Sequence, residues 1–197
     1  MPRWLKPAVF TLSLLPLAWL AWRGVHGSLG VNPIETVNRY LGDWALRFLL
    51  IALAVTPLRK ITGWAPLARL RRMMGLFAFF YVALHLASYL GLDLFFDWQA
   101  LFKDVVKRRY ITLGMLAFAL LVPLAVTSTD GMIRRLGGRA WRRLHLLVFP
   151  AAVLGVVHYW MMVKADIRQP ALYAAMLAVL LGYRLAAALR ARRRAVA

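Results

Sequence analysis

Leu144–Lys164, LHLLVFPAAVLGVVHYWMMVK, is the stretch whose reading decides the architecture. A helix needs roughly 20 apolar residues to cross a bilayer, and this segment is apolar almost throughout. It carries His145 near one end and His158 thirteen residues later. An imidazole in hydrocarbon is costly without a partner, so a histidine within a span points to a functional site. At about 1.5 Å per residue the two lie roughly 20 Å apart along the axis, one near each membrane face. That separation suits two stations on a route across the bilayer better than one shared small-ion site.

The rest of the chain agrees with a membrane setting. Its 197 residues are 62% hydrophobic and only 17% charged, too apolar for an ordinary soluble domain. The absence of cysteine excludes disulfides, iron–sulfur clusters and thiolate chemistry. A net charge of +19 would suggest nucleic acid in a soluble chain, but in a membrane protein the basic residues must first be sorted by loop.

Six apolar segments predict an all-α, polytopic six-transmembrane-helix bundle in a single domain over 1–197. The helices are expected at about 7–22, 44–57, 73–92, 110–127, 144–163 and 170–189, the second being closed by Pro57. The first has the charged start and short apolar core of a signal peptide, but RGVHGSLG after it offers no clear cleavage site, so a retained helix is expected. Of the 26 basic residues, 17 fall before the first helix, in the loops after the second and fourth, and in or after the end of the sixth, with Asp130 as the one acid. The opposite side holds the other six acids, Glu35, Asp43, Asp93, Asp97, Asp104 and Asp166. Both termini are therefore expected in the cytoplasm, and topology with lipid headgroups accounts for most of the arginines.

Two connectors carry their own signals. Asn32, Pro33 and Glu35 form a helix N-terminal pattern, predicting a short surface helix before the second span. Phe95, Trp98, Phe102 and Val105 recur at helical spacing, predicting an interfacial helix over 95–107. It is either a membrane-surface anchor or a docking surface for an extracytoplasmic partner.

Depth then sorts the histidines. His85 lies about 10 Å below the outer end of the third helix and His158 about 8 Å below the outer end of the fifth. A single buried histidine is equally well explained by a hydrogen bond to a neighbouring carbonyl. Two at one level can instead reach one planar ligand from opposite sides, as the axial ligands of a haem do. A six-coordinate iron so held has no vacant position for substrate, so it moves electrons. No catalytic residue is assigned. His26, just past the first helix, reads as an ordinary surface histidine.

The run TSTDGMIRRLGGRAWRRLHLLVFPAAVLGVVHYWMMVK, together with RRMMGLFAFFYVALHLASYLGLDL, resembles the ferric reductase-like transmembrane domain, and within it the MsrQ (YedZ) family. The resemblance covers essentially the whole chain. It implies a bacterial inner-membrane bundle that binds haem b, one or possibly two, with FMN as a further cofactor. Electrons would pass from the quinol pool or a cytoplasmic flavin reductase to an MsrP-like periplasmic molybdoenzyme that reduces methionine sulfoxide in oxidised proteins. The family's ligand histidines fall on His85, His145 and His158.

One departure from the larger oxidase and reductase relatives concerns the third helix, which in them carries two histidines. Fourteen residues before His85 stands Arg71, so an inner haem would lack its usual second ligand. His145 is left as an inner-site ligand, an alternative axial ligand, or a contact for flavin or quinone. Arg71, Arg72, Arg142 and Arg143 lie near that level, where they could pair with haem propionates or a flavin phosphate. The chain has no glycine-rich dinucleotide fingerprint and ends after an arginine tail, so electrons are expected from another molecule. The alternatives are a metalloreductase- or oxidase-like cytochrome b and, in another class, a histidine-relay permease. The lack of membrane carboxylates is expected to disfavour the latter.

Overall fold

A computed structural model describes residues 3–196, so the ends of the domain expected over 1–197, Ala197 included, lie outside the described residues. The chain forms α1 (Leu5–Val25), α2 (Pro33–Thr62), α3 (Leu67–Ser88, continued by a π turn over Tyr89–Asp93), α4 (Trp98–Lys107), α5 (Arg109–Val126), α6 (Asp130–Leu136), α7 (Gly138–Leu144), α8 (Val148–Met162) and α9 (Arg168–Val196). A 3₁₀ turn, His145–Leu147, joins α7 to α8 into one span. Six segments are long and apolar enough to cross a membrane, and no strand is found among the described residues. Six crossings bring the start of the first span and the end of the last to one face, called here the terminal face.

Several boundaries move from the sequence expectation, each for a local reason. The second span and its expected surface helix are one 30-residue helix. Asn32 does cap it, accepting from the Glu35 N–H at 3.2 Å with Pro33 in the first turn, but nothing breaks the helix before Trp44. Pro57 does not end it either. The third span begins at Leu67 and not at Met73, so Arg69, Arg71 and Arg72 ride on the helix, where arginine is a good helix former. The fifth span begins at Gly138, and Pro150 falls in the first turn of α8, where its missing N–H is tolerated. The sixth runs on through its arginine and alanine tail to Val196. The interfacial helix starts at Trp98, because Phe95 and Phe96 adopt left-handed φ of 48° and 60°. Asp97 then caps it, accepting from the Gln99 and Ala100 N–H groups at 2.9 Å each.

Two prolines inside spans show how the bundle satisfies its backbone without water. In α2, Pro57 has no N–H to give the carbonyl of Leu53, four residues back. Arg184 of α9 donates to that oxygen instead, Nη2 to O at 2.9 Å, with its guanidinium over the Phe149 ring at 5.1 Å. In α1, Pro16 disturbs the ladder, and the Tyr81 hydroxyl of α3 enters the gap. It donates to Ser13 O at 2.9 Å and accepts from Leu17 N–H at 3.2 Å, the two groups that would otherwise bond each other. Replacing Arg184 by Met is expected to cost about 1 kcal/mol in a detergent unfolding series, the low end for an orphaned buried carbonyl. The value is low because Arg184 Nε is itself buried without a partner.

Packing follows two pairs, α2 against α3 and α5 against α8. The middle of α2 lies at the centre, with Leu41, Leu46, Phe48, Leu49, Leu50 and Leu53 all buried. The outside of the spans is apolar: Phe10, Trp19, Leu116, Val153, Val157 and Val179 are exposed. An apolar exterior on helices with internally satisfied backbones is what lipid covers. The two pairs stand apart near the face opposite the termini, leaving a cavity between them.

Candidate functional site

The main cavity, of about 480 Å³, is lined by α2, α3, α5 and α8 and contains both His85 and His158. Their ring centroids are 6.2 Å apart with planes at 74°. Metal–imidazole bonds of about 2 Å put the centroids of two ligands on opposite sides of one metal roughly 6 Å apart. The spacing therefore suits a single metal between the rings, whatever the dihedral angle of their planes.

Each ring is held by its own helix pair. His85 Nδ1 lies 2.9 Å from the carbonyl oxygen of Asn38 on α2, and His158 Nδ1 lies 2.6 Å from that of Tyr110 on α5. A carbonyl can only accept, so Nδ1 of each neutral ring carries the proton and Nε2 keeps its lone pair. This is the tautomer a metal-binding imidazole needs, with the second nitrogen fixed by a backbone acceptor. Asn38 also donates its side-chain amide to Ser88 Oγ at 3.1 Å and to His85 O at 3.3 Å, locking α2 to α3 at the level of the ring.

The mouth of this cavity is charged. Arg39 pairs with Glu35 at 2.7 Å and Arg108 with Asp104 at 3.1 Å, and Tyr89 donates its hydroxyl to Asp104 at 2.7 Å. Arg39, Glu35, Asp93 and Arg108 all line the opening. Asp43 lies deeper. Counted by sequence with the loop acids, it is instead half-buried on α2 and lines the cavity, in the field of Arg47 and Arg39. The uninterrupted α2 puts it there, so the argument from a lack of membrane carboxylates does not hold. Among the described residues no group of three or more His, Cys, Asp or Glu side chains is arranged to hold a metal ion.

A second cavity of about 280 Å³ lies toward the terminal face and contains His145. His145 Nδ1 is 3.0 Å from Trp141 O, its ring stacks on Trp141 at 3.8 Å, and Nε2 is 3.4 Å from Ser128 Oγ. Of the four arginines singled out by sequence, Arg71 and Arg72 line this cavity whereas Arg142 and Arg143 do not. Arg72 pairs with Asp130, whose carboxyl is held below its ordinary range by that hydrogen bond and charge. Arg71 makes no hydrogen bond or ion pair among the described residues. Leu49 and Leu121 belong to the walls of both cavities. His26 lies at the end of α1, exposed, its Nδ1 2.8 Å from Trp22 O.

Residues 41–156 match the family described as ferric reductase like transmembrane component. A protein-methionine-sulfoxide reductase heme-binding subunit MsrQ from Rhodospirillum rubrum is 61% identical over 186 residues, covering 94% of this chain and 89% of the relative. The chain belongs to the MsrQ family. MsrQ proteins bearing the same printed name from Caulobacter vibrioides and Xanthomonas euvesicatoria are 56% and 52% identical, covering 89% and 95% of this chain and 84% and 88% of theirs. Six apolar helices in an MsrQ-family chain make it a multi-pass protein of the bacterial inner membrane.

The three histidines singled out in the sequence each line a cavity, and the sequence does not single out Asn38, Gly42, Tyr110 and Gly114 beside them, nor Asp43 as a cavity residue. The available signal was weak: polar and glycine residues recurring inside otherwise apolar spans.

Proposed function

We propose that this chain is the haem-binding electron-transfer subunit of a protein-methionine-sulfoxide reductase system, holding haem b between His85 and His158. The observation that carries this reading is the pair of imidazoles 6.2 Å apart in one cavity, each with Nδ1 committed to a carbonyl and Nε2 without a hydrogen-bond partner among the described residues. Held by His85 and His158, haem would supply a one-electron carrier. The chain's own work is to fix both tautomers, to supply an apolar slot, and to present Arg39 and Arg108 at the mouth for the haem carboxylates.

On this reading the chain is one domain with both termini in the cytoplasm, supported by the excess of arginine at the terminal face. Electrons enter there from quinol or a cytoplasmic flavin reductase and leave at the periplasmic mouth to an MsrP-like molybdoenzyme that repairs oxidised methionines. The second cavity serves entry: His145 with Arg71 and Arg72 holds an inner cofactor, whether a second haem, FMN or a quinone.

Pyridine haemochrome with reduced-minus-oxidised spectra on purified protein tests the reading. About one haem per chain, largely retained in His145→Ala, assigns the outer pair and leaves the inner cavity to flavin or quinone. A ratio near two, falling by one in His145→Ala, places a second haem there. Protein without cytochrome b bands after expression with ample haem would overturn the reading in favour of a permease.

A further inference from the structure

The two histidines are held by one device used twice. In an α-helix the carbonyl of residue i points at residue i+4. Asn38, whose carbonyl takes the His85 Nδ1 proton, is followed four residues on by Gly42, and Tyr110, which takes that of His158, by Gly114. A Cβ on Gly42 would sit 3.2 Å from both His85 Nδ1 and Cε1. On Gly114 it would sit 2.9 Å from His158 Nδ1 and 3.0 Å from Cε1. Any larger residue at i+4 therefore occupies the space through which the imidazole reaches the carbonyl.

We infer that Gly42 and Gly114 are positioning residues for the axial ligands, keeping each Nδ1–H···O=C bond and so the direction and basicity of each Nε2. The inference rests on the haem reading above. Both rings line the cavity, so a ring can yield only by moving off its helix toward that space, and such a movement breaks the Nδ1–H···O=C bond. A methyl group at 42 or 114 must displace the very atom that donates. A lost Nδ1 hydrogen bond makes the imidazole a poorer donor to iron, which disfavours the oxidised state and raises the potential.

The test compares Gly42→Ala and Gly114→Ala with Gly182→Ala, a helical glycine with nothing within 4 Å of its Cβ position. Gly114→Ala is expected to retain haem about tenfold less well, within the range for lost outer-shell partners of metal ligands. The haem it keeps should show a raised midpoint potential and an altered low-spin EPR signal. Gly42→Ala, with the looser contact, should shift the same way by less, and Gly182→Ala should match wild type. If Gly114→Ala does not accumulate, the potential and EPR signal of Gly42→Ala decide the matter. Wild-type potential and EPR signal in Gly42→Ala and in any Gly114→Ala obtained, while His158→Ala loses its haem, overturn the inference and leave the haem reading standing. Retention of haem by both His85→Ala and His158→Ala overturns the haem reading itself.

Discussion

His158→Ala and His85→Ala are each expected to purify without the outer cytochrome b absorbance, at protein levels close to wild type. On the proposed haem reading each change removes one of the two ligands, leaving a single imidazole to hold the macrocycle. The fold should survive, because the carbonyl of Tyr110 or Asn38 keeps the helical partner at i+4 when the ring leaves. The Asn38 amide still reaches Ser88 Oγ after His85 is cut back, so α2 and α3 remain tied. His26→Ala, whose ring is exposed on the far end of α1, is the matched control and should leave the spectrum unchanged. Haem-to-protein ratios on the three variants decide it, and wild-type absorbance in both His85→Ala and His158→Ala would count against the opposed pair.

The second large effect concerns stability. Tyr81 is fully buried, and its hydroxyl serves two backbone groups of α1 at once. Tyr81→Phe keeps the ring, which stacks on Phe48 at 5.2 Å, and removes only that oxygen. Ser13 O and Leu17 N–H then face each other across the gap that Pro16 holds open, in a site buried by α3. One unsatisfied buried group costs about 1–3 kcal/mol, and partial closure of the ladder recovers part of the sum, so a loss of about 2 kcal/mol is expected. Unfolding in mixed micelles should detect it readily, and an unchanged midpoint would mean that α1 straightens despite its proline.

Much of this was legible beforehand, for physical reasons. Helix rise is uniform, so counting residues from the outer ends of two spans placed His85 and His158 at one level. The same arithmetic set His145 apart. What could not be counted was which groups on neighbouring helices face those rings. Asn38, Gly42, Tyr110 and Gly114 acquire their roles only when α2 packs on α3 and α5 on α8. The ends of the spans were misjudged where a local signal was answered from a distance: Pro57 looks terminal until Arg184, 127 positions further along the chain, supplies the missing donor. Asp43 looks like a loop acid for a related reason: the cap at Asn32 reads as the start of a separate short helix, whereas it opens the span itself.

Leu49 and Leu121, shared by the walls of both cavities, put apolar side chains between them. An electron can tunnel through a layer of hydrocarbon one side chain deep. A proton cannot follow it, because it moves along chains of water or hydroxyl groups and the leucines offer neither. Such a partition acts as an insulator for ions and a conductor for electrons. If the chain carries electrons as proposed, that separation would let reducing power cross while the proton gradient over the same membrane stays intact.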